Sequence, residues 1–224
     1  MQQDYNMAMW VFRTAGGGHH GDPQGDGGIG VDLGRLKSKL LSIKPTPLIY
    51  DDSKVKNFIL DELLTYGRLR QGWGIPDLDL TLPEKVWVEN FILGAKKYWN
   101  EILTCKSAMG RKKILDHMLN MVENDIIFIP NVSSNSFDAR YFTVATISKS
   151  YRFDKDRLHH PNTWEKDFGH IIEVKFLKVY RFSDNTLPKN LFGAPFLHAI
   201  DPIPKYYVTH KVFQDFIHVQ YQIK

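Results

Sequence analysis

The stretch Asn124–Phe182 constrains the fold of this chain more than any other. It contains three segments, NDIIFIP, RYFTVATISKSYRFD and FGHIIEVKFLKVYRF, in which β-branched and aromatic residues lie between Asn, Ser, Asp, Pro and Gly. In HIIEVKF the apolar Ile172 and Val174 alternate with Glu173 and Lys175. That period of two predicts a half-buried strand, so the whole stretch predicts a small β-structure with polar turns.

The composition of the 224-residue chain is that of a globular protein, with 43% hydrophobic and 24% charged residues. A chain of this length can bury a core without disulfides. The single cysteine, Cys105, leaves no pair for an internal disulfide or a cysteine-based zinc site, which favours an intracellular location in the nucleus or cytoplasm. No apolar run approaches the roughly 20 residues that cross a bilayer. The start MQQDYNMAMW lacks the features of a signal peptide, so we expect no membrane partner.

The charge and the aromatic content limit the classes of partner that the chain can have. A net charge of +4 with a pI near 9.0 permits nucleic-acid binding without requiring it. Aromatic residues make up 13% of the chain, and they can build either a core or a pocket that stacks on bases. The chain shows no internal repeat and no clear linker, which favours a single domain over residues 1–224.

The residues before the strand block begin with a short apolar strand, Met7–Arg13. A glycine-rich segment at about residues 14–34 follows without periodicity, which predicts a flexible insertion. Its glycines miss the GxGxxG spacing and no Gly-Lys-Ser/Thr follows, so the pattern does not favour a phosphate-binding loop.

Apolar residues at helical spacing predict five helices. Asp52 or Ser53 offers an N-cap for the second helix and Gly67 ends it, whereas Thr81 and Glu84 have capping-box spacing before the third. The segment RLRQGWG between these helices predicts a polar turn. The fourth helix opens on RKK, which the helix dipole disfavours, so we expect a solvated face or an acidic partner there. The helices are Arg35–Ile43, Asp51–Gly67, Pro83–Leu103, Arg111–Val122 and Val208–Ile223, with a strand near IHVQYQI as the alternative in the last.

The order of these pieces resembles the EVE/YTH-like branch of the PUA-like superfamily, and especially the N-terminal domains of Mrr-type modification-dependent restriction enzymes. MWVFR is similar to the opening strand that ends in arginine, and a Gly-Trp element follows at Trp73. Asn124–Pro130 matches a strand of the form Gly/Asn-Asp followed by apolar residues and Pro. Val144–Ile147 and Tyr151–Phe153 match the next pair of segments. The resemblance implies an α+β fold, a small PUA-like β-barrel with flanking helices.

The sequence departs from the family pattern in two places. The glycine-rich insertion and an added helix separate Arg13 from Trp73 much further than in the family. Phe176 stands where a tryptophan is common, so no aromatic-cage role is transferred to it.

The resemblance implies a nucleic-acid partner, because PUA-like relatives bind RNA or DNA and this branch holds a modified base between aromatic walls. An unstacked base needs π-faces and hydrogen-bonding groups, and its backbone needs Arg and Lys. The leading hypothesis is therefore a non-enzymatic module that binds DNA or RNA and uses no cofactor. The hypothesis includes a modified base as the specific ligand. The candidates for the pocket walls are Trp10, Trp73, Tyr151 and Trp164. The candidates for the backbone contacts are Arg13, Arg68, Arg70, Arg152, Lys155 and Arg157.

Each candidate has a structural alternative. Trp10 lies in a strand and fits a core position, and Trp73 could cover the core instead of lining a pocket. The basic residues around Arg152 alternate with Asp154 and Asp156, which neutralise part of their charge.

Two other functions remain open from the sequence. The first is a protein–protein interaction module built on the same barrel. The second is a metal-dependent nuclease of the PD-(D/E)xK type, because Glu173 and Lys175 follow Asp154, Asp156 and Asp167. Ordinary alternation on an amphipathic strand explains the same pattern. Neither pair of adjacent histidines has the spacing of a helical zinc site, so we expect no metal.

Overall fold

The structure is a computed structural model, and it describes residues 8–13, 31–75, 78–155, 163–184, 199–203, 211 and 215–217. Most of the predicted insertion at about 14–34 and most of the predicted closing helix lie outside the described residues.

Six strands form one sheet that curls into a half-barrel, and helices pack against it. The strands are β1 (Met9–Phe12), β2 (Arg68–Gln71), β3 (Ile126–Val132), β4 (Phe137–Phe153), β5 (His170–Arg181) and β6 (Ile200–Pro202). Their order across the sheet is β2-β5-β4-β3-β1-β6. β1 and β3 are parallel, and the other neighbouring strands are antiparallel. The predicted α+β class is confirmed, and so are the four strands predicted in Met7–Arg13 and Asn124–Phe182.

Four helices lie wholly within the described residues: α1 (Leu33–Ser42), α2 (Asp52–Tyr66), α3 (Glu84–Tyr98) and α4 (Cys105–Asp116). The N-cap of α2 is Asp51, one residue before the predicted positions, because its carboxylate accepts the N–H groups of Ser53 and Lys54. Gly67 ends α2 as predicted, with a φ of 63°.

Three local predictions were wrong. RLRQ is the strand β2, since it pairs with β5, rather than a polar turn. Pro83 precedes α3 without a side-chain cap, so Thr81 forms no capping box; its N–H donates to Asp79 instead. α4 begins after Thr104, which caps it, so the RKK sequence lies in the second half of the helix, where the dipole favours cations.

Core residues lie on both faces of the sheet, and the alternation along β1 divides them between two clusters. Trp10 and Phe12 pack with the helices in the larger cluster, which also contains Leu69 and Ile172 from the other end of the sheet. Met9 and Val11 point to the opposite face, where the second cluster includes aromatic residues of β4 and β5. The larger cluster positions the ends of β2 and β5, where the candidate site lies.

The junction between α2 and β2 generates a prediction at Gly67. A Cβ atom there would lie 2.5 Å from the carbonyl oxygen of Val174, and the φ of 63° is strained for other residues. We expect Gly67→Ala to lower the free energy of unfolding by about 1–3 kcal/mol. Urea denaturation of the variant and the wild type measures this change in the free energy of unfolding.

The matched control is Gly110→Ala, in the exposed part of α4, where a Cβ atom would meet nothing within 4 Å. This variant should raise stability by about 0.5–1 kcal/mol because alanine favours helix. Equal effects of the two substitutions would contradict the assigned role of Gly67.

Candidate functional site

Two of the four predicted pocket aromatics, Trp73 and Tyr151, converge on the segment that joins the 3-10 helix Thr163–Phe168 to β5. The hydroxyl of Tyr151 lies 3.1 Å from Nδ1 of His170, and the two rings are 5.9 Å apart. The main chain of Trp73 interacts with both Asp167 and His170. These residues form the candidate site at one end of the sheet.

The register of β4 brings Tyr151 into this site. β4 is shifted against β5 on both sides of Lys149, and Phe153 lies opposite His170. The hydroxyl of Tyr151 accepts the N–H of Leu80 at 3.1 Å and lies 3.3 Å from the carboxylate of Asp79. Burial raises the pKa of Tyr151, so its hydroxyl stays neutral and serves as a hydrogen-bonding group.

Trp73 forms the tip of a tight turn between Gly72 and Gly74. Its φ of 66° is unusual for a residue other than glycine, and its side chain is half-buried. The guanidinium of Arg111 lies 5.4 Å from the centre of the Trp73 ring and also pairs with Glu101 at 3.3 Å. A cation therefore lies over one face of the indole.

Asp167 fastens this turn to the 3-10 helix. Its main-chain carbonyl accepts the N–H of Gly74 at 2.7 Å, and its carboxylate accepts the N–H of Ile75 at 3.4 Å. The Tyr50 hydroxyl donates to the same carboxylate at 3.2 Å and accepts from the Trp99 indole at 2.8 Å. Burial raises the pKa of Asp167 to about 6, while these hydrogen bonds act in the opposite direction.

His170 and Gln71 are the polar residues of the site that the sequence did not indicate. They lie opposite each other in the β2–β5 pair, and both are buried. Burial lowers the pKa of His170 to about 4, so the ring is neutral at pH 7. Within the described residues neither Nε2 of His170 nor Oε1 of Gln71 completes a hydrogen bond, although the Trp73 main chain is close enough to favour a protonated ring. The alternation of Leu69 with Gln71 was the available signal, and the prediction of a turn hid it.

Arg70, a predicted backbone contact, lies inside the protein with none of its side chain exposed. Its guanidinium donates to the carboxylate of Glu62, to Asp154 at 2.7 Å and to the carbonyl of Phe168 at 2.9 Å. These three partners come from α2, the end of β4 and the 3-10 helix. Arg70 therefore positions the segments around the site from within.

The structure places the other two predicted wall residues in the core. The indole of Trp10 donates to the carboxylate of Asp125 at 2.9 Å, and the same carboxylate accepts the N–H of Ala8, which links β1 to β3. Trp164 packs edge-on against Phe58 and Phe168. Both tryptophans are less than a tenth exposed, so neither joins Trp73 and Tyr151.

The remaining predicted cations divide into two groups. Arg13 lies 3.9 Å from Asp201 beside β6, at the far side of the sheet. Arg68 and Arg152 lie beside Glu173 on the face of the sheet opposite Tyr151, Arg68 in register and Arg152 in an ion pair of 3.2 Å. Lys155 is exposed just beyond β4, and Arg157 lies outside the described residues.

We define the basic surface as Arg68, Lys149, Arg152 and Lys175. Lys149 pairs with Glu173 at 2.8 Å, and Lys175 lies 3.5 Å from Glu123. Hydrogen bonds from Lys149, with a further contribution from Arg152, lower the pKa of Glu173. Its carboxylate is therefore ionised and cancels part of the positive charge.

The residues of the nuclease hypothesis are separated by these contacts. Glu173 and Lys175 share the basic surface, Asp154 pairs with Arg70, and Asp167 lies beneath the Trp73 turn. In the part of the chain that the structure describes, no group of three or more His, Cys, Asp or Glu residues could hold a metal ion. Asp156 lies outside that part.

Comparisons with known proteins found no matching family model, no similar curated protein and no similar solved structure. Among the described residues, no helix has both the length and the apolar character to cross a membrane.

Asp167 and His170 have pKa shifts in opposite directions, so we predict that their effects on the pH dependence of stability largely cancel. Asp167 has its pKa raised from 3.8 to about 6, so folding takes up a proton and stability falls as pH rises from about 4 to 6. His170 has its pKa lowered from 6.5 to about 4, so folding releases a proton and stability rises over the same interval. We therefore expect Asp167→Asn to increase the slope of unfolding free energy with pH by up to about 1.4 kcal/mol per pH unit relative to wild type.

Chemical denaturation at several values between pH 4 and pH 6.5 measures these slopes. Asp61→Asn, at an exposed position on α2, is the matched control and should leave the wild-type slope unchanged. Equal slopes for Asp167→Asn and the control would show that Asp167 does not titrate as assigned.

Proposed function

We propose that this chain is a non-enzymatic module that binds DNA or RNA on a PUA-like barrel of the EVE/YTH type. The observation that carries the proposal is that the Tyr151 hydroxyl and the Trp73 main chain both interact with His170 beside the ends of β2, β4 and β5. Arg68 and Arg152 stand on the other face of the same strands. Aromatic residues and cations at the same end of one sheet are the groups that bind an unstacked nucleotide.

The base is held at the Trp73 turn in this proposal, with a modified base as the specific ligand that the family resemblance implies. Indole faces stack on bases of any sequence, and Trp73 is half-buried, so ordering its ring costs little conformational freedom. Tyr151 is fixed by its contacts with Leu80 and His170. A base therefore meets a tyrosine ring whose position is fixed.

The basic surface supplies the phosphate contacts. Its four cations exceed the three carboxylates, Glu62, Glu173 and Glu123, that pair with them, and Lys149 keeps 70% of its side chain exposed. The ion pairs are partly exposed and therefore weak, so a phosphate can compete with each carboxylate. Binding through this surface must weaken steeply as salt rises, because phosphate neutralisation releases counterions.

A protein–protein interaction module is the second candidate, and one observation favours it. Leu41 and Ile49 are more than four-fifths exposed. Between them in the sequence lies Ile43, which lines a groove of about 330 Å³. The groove is lined by Ile43, Ile75, Leu78, Asn90, Leu93, Gly94, Lys97 and Tyr98. Exposed apolar side chains beside a groove are typical of protein contacts.

Salt-dependent binding separates the two candidates. We expect ten-nucleotide single strands of DNA or RNA to bind with a negative slope of log affinity against log salt, about 0.7 for each phosphate neutralised. Arg68→Ala/Arg152→Ala should weaken binding and make the slope shallower by about 1.4, since two phosphate contacts are lost. Fluorescence anisotropy across a salt series measures both effects.

Arg35→Ala/Arg140→Ala removes the same charge from exposed positions elsewhere and is the matched control. It should bind like wild type. Absence of binding to either polymer at low salt would refute the nucleic-acid proposal, and equal losses in the two double variants would refute the assignment of the basic surface.

A further inference from the structure

Three buried side-chain atoms lack a hydrogen-bond partner in the described part of the chain: Oε1 of Gln71, Nε2 of His170 and the hydroxyl of Tyr180. Gln71 is 6% exposed and His170 is completely buried. Leaving a buried polar atom unpaired is unfavourable, so each case calls for an explanation. Two of the three occur on residues that face each other in one strand pair.

The geometry of the sheet places Gln71 and His170 on the same face. Leu69 and Ile172 are opposite each other and both belong to the cluster beneath the helices. Gln71 and His170 are each two residues further along their strands, so their side chains point to the same side. Tyr151, which contacts His170, also packs against that cluster.

The contacts of Tyr151 determine which polar groups the pair presents. Its hydroxyl accepts the Leu80 N–H and donates its one proton to the carboxylate of Asp79 at 3.3 Å, because a carboxylate only accepts. The remaining lone pair of the hydroxyl faces Nδ1 of His170 at 3.1 Å, so we assign the proton of the neutral ring to Nδ1, which leaves Nε2 as an acceptor. The pair then offers two acceptors, Gln71 Oε1 and His170 Nε2.

We propose that Gln71 and His170 read the polar edge of a base held beside Trp73 and Tyr151. Two acceptors are complementary to a planar edge that carries neighbouring N–H donors, which an exocyclic amino group beside a ring N–H of a nucleobase provides. The proposal rests on the proposed function and specifies which residues of that site recognise the base.

The Trp73 turn lies next to this pair, since its main chain interacts with His170. Gln71 and His170 are covered in this structure, and Gln71 leads directly into the turn. The turn is held to Asp167 by the N–H groups of Gly74 and Ile75, the second through a long hydrogen bond of 3.4 Å. A base reaches the pair when the turn shifts and exposes the two side chains on the helical side of the sheet.

The test uses two ten-nucleotide probes, a single-stranded DNA of mixed sequence and the same backbone with abasic sites throughout. Wild type should bind the base-bearing probe more tightly. Gln71→Met and His170→Phe keep the size of each side chain and remove its polar atoms. Each should reduce the preference for bases roughly tenfold, because the hydrogen bonds to the edge are lost, and leave the salt slope unchanged.

Tyr180→Phe is the matched control, because it removes the third unpaired atom, which lies in the second core cluster on the opposite face. It should keep the wild-type preference. Wild-type preference in Gln71→Met and His170→Phe would overturn the inference and leave the proposed function standing. Loss of binding to both probes by wild type would overturn both.

A measurement on wild type keeps the inference testable if a variant fails to fold. The ¹⁵N signal of His170 Nε2 should move when the base-bearing probe is added and stay fixed with the abasic probe. Identical responses to the two probes would contradict the proposed reading of the base edge.

Discussion

The candidate site depends on the buried guanidinium of Arg70. Its three partners are Glu62, eight residues away in the preceding helix, and Asp154 and the carbonyl of Phe168, which are distant in the sequence. Removing one partner of such a buried pair would leave an uncompensated charge, which costs about 3–5 kcal/mol. That penalty fixes α2, the end of β4 and the 3-10 helix relative to β2. The Trp73 turn and His170 follow directly from β2 and the 3-10 helix, so their positions derive from this ion pair.

Asp167 and His170 add a second set of buried interactions to those of Arg70. Asp167 holds the Trp73 turn through main-chain N–H groups, and Tyr50 and Trp99 extend the same network to α3. Burial acts on the two titratable groups in opposite directions, so that their effects on stability compensate between about pH 4 and 6. The aromatic pair thus stands on a buried polar network, where each satisfied hydrogen bond restricts the position of the rings.

The strands and helices were largely predictable because their periodicity is local. β2 escaped prediction because it has only four residues, two of them arginines, and its pairing with β5 spans about a hundred positions. The burial of Arg70 was hidden for the same reason, since its partners Asp154 and Phe168 are far along the chain. In the sequence, a basic residue next to a Gly-Trp turn is typical of a surface contact. Only the three-dimensional fold shows that carboxylates surround it.

The candidate site was predictable in its aromatic chemistry and not in its polar chemistry. Trp73 and Tyr151 are aromatics in or beside turns, which is where a pocket wall is expected, and the fold brings both to His170. Trp10 lies in the core, as its position in a strand already indicated. Gln71 and His170 could not be singled out, because only the strand register shows that two unpaired buried atoms face each other.

The central claim is that Trp73 marks a nucleic-acid site, and the five tryptophans of the chain provide its most direct test. Each indole N–H gives one signal in a ¹H–¹⁵N spectrum, so titration with a ten-nucleotide single strand reports on all five at once. The account predicts that the Trp73 signal moves, while those of Trp10, Trp87 and Trp164, which are buried in the core clusters, stay in place. A stationary Trp73 signal at saturating oligonucleotide, or equal movement of the buried indoles, would contradict it.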